Sequence, residues 1–119
     1  MAVRQHPLVR CAVVGVGLMG QLFARLLVQS PRGQLVALAE ADRSRHAELS
    51  AAFGVPVYDD GETLLAATTL DAVVVATSDQ AHLDPALAVL QRGLALFIEK
   101  PLALTLSDAE RIVAAARTA

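Results

Sequence analysis

Three glycines near the start of the chain have the spacing of a phosphate-binding loop. Gly15, Gly17 and Gly20 stand in the order G-x-G-x-x-G, with Leu18 and Met19 between the second and the third. An apolar, strand-like run precedes the motif, and a segment with helical periodicity follows it. The motif indicates a dinucleotide site only in this context of a strand before it and a helix after it. The free N–H groups at the start of such a helix favour a bound pyrophosphate. The pattern therefore predicts a dinucleotide site formed by these five residues.

Each glycine of this loop is expected to have its own role. Gly15 permits a tight turn, Gly17 lets a pyrophosphate approach the backbone, and Gly20 lets the helix pack close to the strand. Two alternatives stay open at this point. The first is a purely structural glycine turn, and the second is the glycine loop of adenosylmethionine-dependent methyltransferases.

An acidic residue stands where a dinucleotide fold needs one. Glu40 ends the second apolar run, twenty positions after Gly20. Its carboxylate is predicted to accept hydrogen bonds from the adenosine ribose of a bound cofactor. A surface glutamate at the end of a strand is the alternative interpretation.

The same carboxylate bears on the choice of cofactor, because a fixed negative charge repels the 2′-phosphate of NADP. Two unit charges about 4 Å apart interact by about 4 kcal/mol at an effective dielectric constant of about 20. Arg43 and Arg45 follow Glu40 closely and can offset this repulsion, and a glutamate side chain can also swing aside. We therefore expect NAD as the cofactor, with NADP as the alternative.

Apolar segments of strand length alternate with helix-period segments along the whole chain. This alternation is typical of successive βα units around a parallel sheet. It predicts an α/β fold with a doubly wound parallel sheet in the strand order 3-2-1-4-5. The five predicted strands cover residues 8–14, 34–40, 55–60, 71–77 and 94–99.

The connecting segments carry helix signals. A leucine repeat that starts at Leu18 predicts the first helix. Either Asp42 or Ser44 is expected to cap the second helix, and Gly54 is expected to end it. A helix of one or two turns is predicted around residues 64–65.

Two later helices have predicted caps. Asp84 and Pro85 form an N-cap and first-position pair, so a helix is predicted over residues 85–92. Ser107, with Glu110 three residues further on, has the pattern of a capping box for the last helix.

Three segments together make the order of features recognisable. Residues 36–45 read VALAEADRSR, residues 93–101 read GLALFIEKP, and residues 102–116 read LALTLSDAERIVAAA. In this order the chain resembles the N-terminal NAD(P)-binding Rossmann domain of the Gfo/Idh/MocA family, which includes glucose-fructose oxidoreductase, inositol dehydrogenase and MocA. The E-K-P element is the specific part, because methyltransferases and the common 2-hydroxy-acid dehydrogenases do not carry it there.

The resemblance also gives the ATSDQAH segment, residues 76–82, a role. It implies that Ala76 and Thr77 lie beside the ribose and nicotinamide half of the cofactor. His82 matches a histidine that is common in this loop and is predicted to bind the cofactor, with a histidine satisfied near a helix start as the alternative. Ser78 stands where the family usually has proline, so this loop departs from the family pattern.

The E-K-P signature implies the chemistry. Glu99 is expected near the nicotinamide ribose, and Lys100 is expected to border the cofactor and point into the active site. There the lysine would hydrogen-bond the reacting oxygen of the substrate and stabilise negative charge on it while hydride moves. We therefore predict Lys100 as the catalytic residue. A solvated charge pair at the end of a strand is the alternative.

The family has a second domain that supplies much of the substrate pocket, and residues 1–119 correspond to the cofactor domain alone. The resemblance thus implies the coenzyme domain of an oxidoreductase that acts on a hydroxyl or carbonyl group of a sugar, cyclitol or related small molecule. It also implies a homo-oligomer in the longer form. The alternative function is a stand-alone dinucleotide-binding module that senses or regulates without turnover.

Composition excludes other classes of function. The chain has 119 residues, enough for one domain, and its ten basic and twelve acidic residues give a net charge of −2 without a basic stripe. We therefore expect no nucleic acid partner. The apolar runs are shorter than a membrane span of about 20 residues, so we expect no membrane partner and a cytoplasmic location. Cys11, the only cysteine, is predicted to be a plain buried thiol.

Two further groups of polar residues are assigned no chemistry. Asp59, Asp60 and Glu62 form the densest acidic cluster and are interpreted as a solvated loop. The three histidines have no spacing that would form a metal site or complete an acid/base pair with Lys100; they are His6, His46 and His82.

Overall fold

Five parallel strands form one sheet in the computed structural model, which describes residues 7–78 and 81–119. His6 and residues 79–80 of the predicted loop lie outside the described residues. The sheet has the order β3-β2-β1-β4-β5 with every neighbouring pair parallel, which confirms the predicted doubly wound α/β topology. The strands are Val9–Val14 (β1), Gly33–Ala39 (β2), Val57–Tyr58 (β3), Ala72–Val75 (β4) and Ala95–Ile98 (β5).

Five α-helices cover the two faces of this sheet. They are Leu18–Gln29 (α1), His46–Phe53 (α2), Gly61–Ala67 (α3), Leu83–Gln91 (α4) and Leu106–Thr118 (α5), with a 3-10 turn at Arg43–Arg45 before α2. Within the described ranges, no helix combines the length and the apolar composition needed to cross a membrane.

The core consists of two layers because side chains alternate across each strand. Val13 faces α1 and α2, where it packs in a cluster with Ala24 and Leu49. Val14 faces the opposite side, in a cluster with Leu64 of α3 and Val89 of α4. Helix α5 lies outside this second layer, against α4 and the edge of the sheet.

The central strand β1 is buried on both faces, as its apolar sequence predicts. Its residues Ala12 and Val13 are fully buried. Cys11 is also buried, which confirms the prediction of a plain thiol, and loss of hydration raises the pKa of that thiol. Since β1 lies between β2 and β4, the order of the sheet reverses at the carboxyl ends of β1 and β4.

The start of α4 differs from the prediction. The helix begins at Leu83, with His82 as its N-cap, so Asp84 and Pro85 lie in the first turn and are not the N-cap and first residue. The first hydrogen bond of the helix runs from Ala86 N to His82 O, at 3.1 Å. Proline fits at position 85 because the residues before Ala86 do not need to donate a helical hydrogen bond.

The predicted capping box of α5 is also wrong. Thr105 is the N-cap, and its Oγ1 accepts a hydrogen bond of 3.1 Å from the N–H of Asp108. Ser107 lies inside the first turn, so the pairing of Ser107 with Glu110 does not form. By contrast, Asp42 caps the turn before α2 by accepting from Ser44 N.

The observed cap predicts the effect of two small substitutions. Thr105→Ala should lower the free energy of unfolding by about 1 kcal/mol, because it removes an N-cap acceptor. Ser107→Ala, the matched control, should leave it within about 0.5 kcal/mol, because alanine is a good helix former. Chemical denaturation of the two variants measures both values. A larger loss for Ser107→Ala than for Thr105→Ala would contradict the assigned cap.

Candidate functional site

A cleft of about 510 Å³ lies over the carboxyl ends of the strands, where the order of the sheet reverses. This volume is within the range of about 300–1,000 Å³ that is typical of small-molecule sites. The glycine loop, the ends of β2 and β3, the loop after β4 and the start of α4 form its walls. Five of the predicted cofactor residues line it, namely Gly15, Gly17, Glu40, Ala76 and Thr77.

The other predicted site residues lie around this cleft and do not line it. Leu18 is 89% exposed at the start of α1, with Met19 beside it, and Gly20 is buried under the loop. His82 is buried below the loop after β4. Glu99 and Lys100 directly follow β5, so they share the sheet edge on which the cleft opens.

Gly15 and Gly20 allow close contacts between backbones. Gly15 has φ of +90°, and a Cβ there would lie 2.5 Å from Thr77 N. A Cβ on Gly20 would collide with the carbonyl oxygen of Gly15. The loop after β1 therefore touches both α1 and the loop after β4, and neither contact leaves room for a side chain.

Gly17 differs from its two neighbours in the motif. A Cβ at this position would meet no atom within 4 Å, and its φ of −78° with ψ of −157° is extended backbone open to any residue. The fold therefore does not require glycine here. The position lines the cleft at the N-terminus of α1, where a closely bound ligand would require it.

Glu40 lies one residue beyond β2, and its side chain forms hydrogen bonds with the glycine loop and with the turn after β2. Its Oε1 accepts from Val16 N at 3.2 Å and from Arg45 Nη1 at 3.1 Å, while its Oε2 accepts from Asp42 N at 2.9 Å. A carboxylate has about four acceptor positions on its two oxygens. Oε2 accordingly keeps room for a further donor such as a ribose hydroxyl.

Arg43 and Asp59 form a second connection, and Asp59 is one of the residues that line the cleft. Arg43 Nε donates to Asp59 Oδ1 at 2.9 Å, and Arg43 Nη2 donates to Asp59 Oδ2 at 2.6 Å. This two-bond contact holds the pKa of the Asp59 carboxyl below its ordinary value. It joins the turn after β2 to the end of β3.

The rest of the acidic cluster has structural partners too. Asp60 Oδ1 accepts from Thr63 N at 2.7 Å and so caps α3, and that backbone hydrogen bond lowers the pKa of Asp60. Glu62 lies 3.6 Å from Arg92 of the α4 terminus. All three acidic residues line the cleft, which the sequence analysis missed. Their position just after β3 was the available signal, because the other cleft residues also follow strand ends.

His82 connects two loops from beneath. It is 1% exposed, with Nδ1 2.9 Å from Pro101 O and Nε2 2.9 Å from Thr77 O. The ring thus holds the loop after β4 and the segment that follows Lys100. This geometry favours the alternative interpretation, a histidine satisfied near a helix start, and its contact with a cofactor stays a prediction.

The E-K-P segment leaves the sheet at the edge of the cleft. Glu99 N donates to Val75 O at 2.9 Å and extends the pairing of β4 with β5 by one residue. Glu99 Oε1 accepts from Lys100 N at 3.2 Å, and the Lys100–Pro101 peptide bond is cis. Lys100 is exposed, and within residues 7–78 and 81–119 its ammonium forms no ion pair with a carboxylate.

The fold and the site together define a class of protein. A parallel sheet in the order 3-2-1-4-5, with a glycine loop at its switch point and a carboxylate after the second strand, is a dinucleotide-binding Rossmann domain. Residues 9–119 match the family described as "Oxidoreductase family, NAD-binding Rossmann fold", Gfo/Idh/MocA. The chain belongs to this family, which confirms the resemblance carried by the E-K-P segment.

Individual relatives agree with this assignment. The chain is 34% identical over 108 residues to inositol 2-dehydrogenase 3 of Saccharopolyspora erythraea, covering 90% of this chain and 32% of that protein. The WlbA dehydrogenase from Bordetella pertussis, in complex with NADH and UDP-GlcNAcA, has a TM-score of 0.87 at 27% identity, covering 93% and 34% of the two chains. Biliverdin reductase from Synechocystis, in complex with biliverdin and NADP+, has a TM-score of 0.87 at 32% identity, covering 92% and 35%. The chain spans about a third of the length of these proteins.

Substitution of two glycines separates binding from folding. Gly17→Ala should lower the free energy of unfolding by no more than about 1 kcal/mol, the cost of alanine at an N-cap, because nothing lies near the new methyl group. It should weaken NAD binding at least about tenfold, because the methyl group occupies the space that a pyrophosphate needs. Gly20→Ala should instead destabilise the fold by about 3 kcal/mol or more. Calorimetric titration and chemical denaturation measure the two effects, and full NAD affinity in Gly17→Ala would contradict the site.

The buried histidine gives a separate stability prediction. His82→Ala should lower the free energy of unfolding by roughly 2–4 kcal/mol, because it removes the hydrogen bonding between two loops and empties a buried volume. His82→Gln should recover part of the loss, since an amide nitrogen supplies two donors. Chemical denaturation of both variants tests this. An alanine variant as stable as the unsubstituted chain would show that the ring does not hold the loops.

Proposed function

We propose that this chain is the coenzyme domain of an oxidoreductase that transfers hydride between a nicotinamide and a hydroxyl-bearing or carbonyl carbon of a sugar, cyclitol or related small molecule. The observation that carries the proposal is the shared sheet edge. The glycine loop, Glu40 and the loop after β4 line one cleft, and Lys100 follows β5 beside it. The similarity to an inositol dehydrogenase supports this substrate class.

The residues present fit a dinucleotide, which supplies the hydride acceptor or donor when it is bound. The N-terminus of α1 and the open backbone at Gly17 would hold the pyrophosphate. Oε2 of Glu40 would accept from the adenosine ribose. Ala76 and Thr77, at the end of β4, would lie beside the nicotinamide half.

The charges at the end of β2 favour NAD over NADP. Glu40 is fixed by two backbone N–H groups and Arg45, so its negative charge stays where a 2′-phosphate would be placed. Arg45 is committed to Glu40 and Glu48, and Arg43 is committed to Asp59. Arg45 therefore offsets part of the charge of Glu40, and Arg43, the other arginine that could offset the repulsion, is held by Asp59.

Lys100 is the proposed catalytic residue. Lys100 is exposed two residues after β5 and has no carboxylate partner among the described residues, so its ammonium is available to a substrate oxygen. It would donate a hydrogen bond to that oxygen and stabilise the negative charge that develops on it. The paired Glu99 N–H and Val75 carbonyl fix the backbone just before this lysine.

The proposal also covers partners. A second domain would supply most of the substrate pocket, as the span of about a third of the relatives suggests. Apolar side chains exposed on the sheet edge and on α1 support coverage by that domain or by a second copy in a homo-oligomer. Examples are Leu18, Leu22, Leu26, Val28 and Phe97. We further propose a cytoplasmic location and no nucleic acid partner, in line with the single buried thiol and the mixed charge.

Titration and one substitution test the proposal. The chain should bind NAD in a calorimetric titration, and Lys100→Ala should keep that affinity within about twofold, since the ammonium acts on the substrate. In the protein that carries the second domain, Lys100→Ala should lower turnover of an inositol or sugar by about 10²–10³-fold.

Three results bear on the alternatives. No affinity for NAD or NADP would overturn the cofactor site. Unchanged turnover in Lys100→Ala would remove this lysine from the chemistry. A gene in which a stop codon follows the codon for Ala119 would favour a stand-alone sensor or regulatory module over the enzyme.

A further inference from the structure

The two arginines that follow Glu40 are held in different ways. Arg45 is largely covered, with 27% of its side chain exposed, and bonds Glu40 in its own turn. Arg43 is 80% exposed, and its described ion-pair partner is Asp59, sixteen residues further on. Arg43 is therefore a cation just after β2. The orientation of its side chain depends on Asp59, a residue that follows another strand, β3.

The contact between Arg43 and Asp59 uses the guanidinium fork. Nε and Nη2 donate in parallel to the two carboxylate oxygens, at 2.9 and 2.6 Å. Paired geometry of this kind fixes orientation as well as distance. Asp59 therefore occupies the guanidinium group that Arg43 could otherwise use to bind an external phosphate.

A 2′-phosphate on the adenosine ribose needs a cation near the end of the second strand, and an arginine there is the usual solution. Arg43 stands three residues beyond Glu40, next to the cleft wall formed by Ala41 and Asp59. It is the exposed one of the two arginines in this turn. Arg43 can bind a 2′-phosphate only when its hydrogen bonds to Asp59 are broken.

We propose that Asp59 is a specificity-determining residue that acts through Arg43. By holding the guanidinium in this two-bond contact, Asp59 withholds from NADP the cation that would compensate its 2′-phosphate. The inference rests on the proposed dinucleotide site and goes beyond it, because it assigns the selectivity to a residue outside the glycine loop and the β2 terminus. Glu40 repels the phosphate, and Asp59 holds the one exposed arginine of this turn that could bind the phosphate.

The chain offers a matched control for this effect. Glu62 lines the same cleft and carries the same charge as Asp59, but its partner is Arg92 at 3.6 Å. Glu62→Ala therefore removes one negative charge from the cleft without freeing Arg43. Both carboxylates belong to exposed pairs, and such pairs contribute little to stability, so both variants should stay folded.

The test is calorimetric titration of NAD and NADP into the chain and into four variants. The variants are Asp59→Ala, Glu62→Ala, Arg43→Ala and the double variant Asp59→Ala with Arg43→Ala. Asp59→Ala should raise NADP affinity relative to NAD at least about tenfold, the usual effect of gaining one charge-assisted hydrogen bond. Glu62→Ala and Arg43→Ala should change this ratio by less than about threefold. The double variant should lose most of the gain.

Each contrary result has a separate meaning. A gain that persists in the double variant, or that Glu62→Ala reproduces, would show simple charge repulsion and overturn the role of Arg43. An unchanged ratio in Asp59→Ala, with normal NAD binding, would overturn this inference and leave the proposed function standing. If the unsubstituted chain binds neither nucleotide, the proposed function fails and this inference fails with it.

Discussion

Contact between backbones at the centre of the sheet edge is the constraint on which the site depends. The turn at Gly15 lies against Thr77, and Gly20 brings the start of α1 against the carbonyl of Gly15. Three chain segments therefore meet with no side chain between them. This close packing puts the N-terminus of α1 directly over the strands, and it opens the cleft beside the point where the order of the sheet reverses. A side chain at Gly15 or Gly20 would separate these segments, whereas Gly17 is left open toward the cleft.

Carboxylates then fix the loops around this contact. Glu40 binds the N–H of Val16 in the glycine loop and the N–H of Asp42 in the next turn, so the residue proposed to bind the ribose also orders the loop proposed to bind the phosphates. Asp59 and Asp60 do the same for the turns around β3. Groups that are already oriented lose less freedom when a ligand binds. The acidic edge of the cleft is thus a set of bonded carboxylates that define its shape and its charge.

The sequence predicted those parts of the fold whose cause is local. The strand order, the glycine loop and Glu40 follow from patterns read along one segment at a time, and the topology was confirmed. The predicted cap of α5 was wrong because Thr105 and Ser107 both precede an acidic residue by three positions, so the local pattern fits both. Pro101, one of the two partners of His82, lies nineteen residues from it, and Arg43 lies sixteen residues from Asp59. Periodicity does not encode contacts at these separations.

The histidine beneath the cleft links the two halves of the proposed chemistry. One ring nitrogen of His82 contacts the carbonyl of Thr77, which lines the cleft, and the other contacts the carbonyl of Pro101, the residue after Lys100. Hydride transfer needs the nicotinamide and the substrate oxygen at fixed separation, because reacting groups must be held within a fraction of an ångström of the productive geometry. A buried ring that joins the loop after β4 to the segment after Lys100 would supply that rigidity in the proposed reaction. Lys100 itself can therefore stay exposed and free of partners within the described chain while its backbone is fixed.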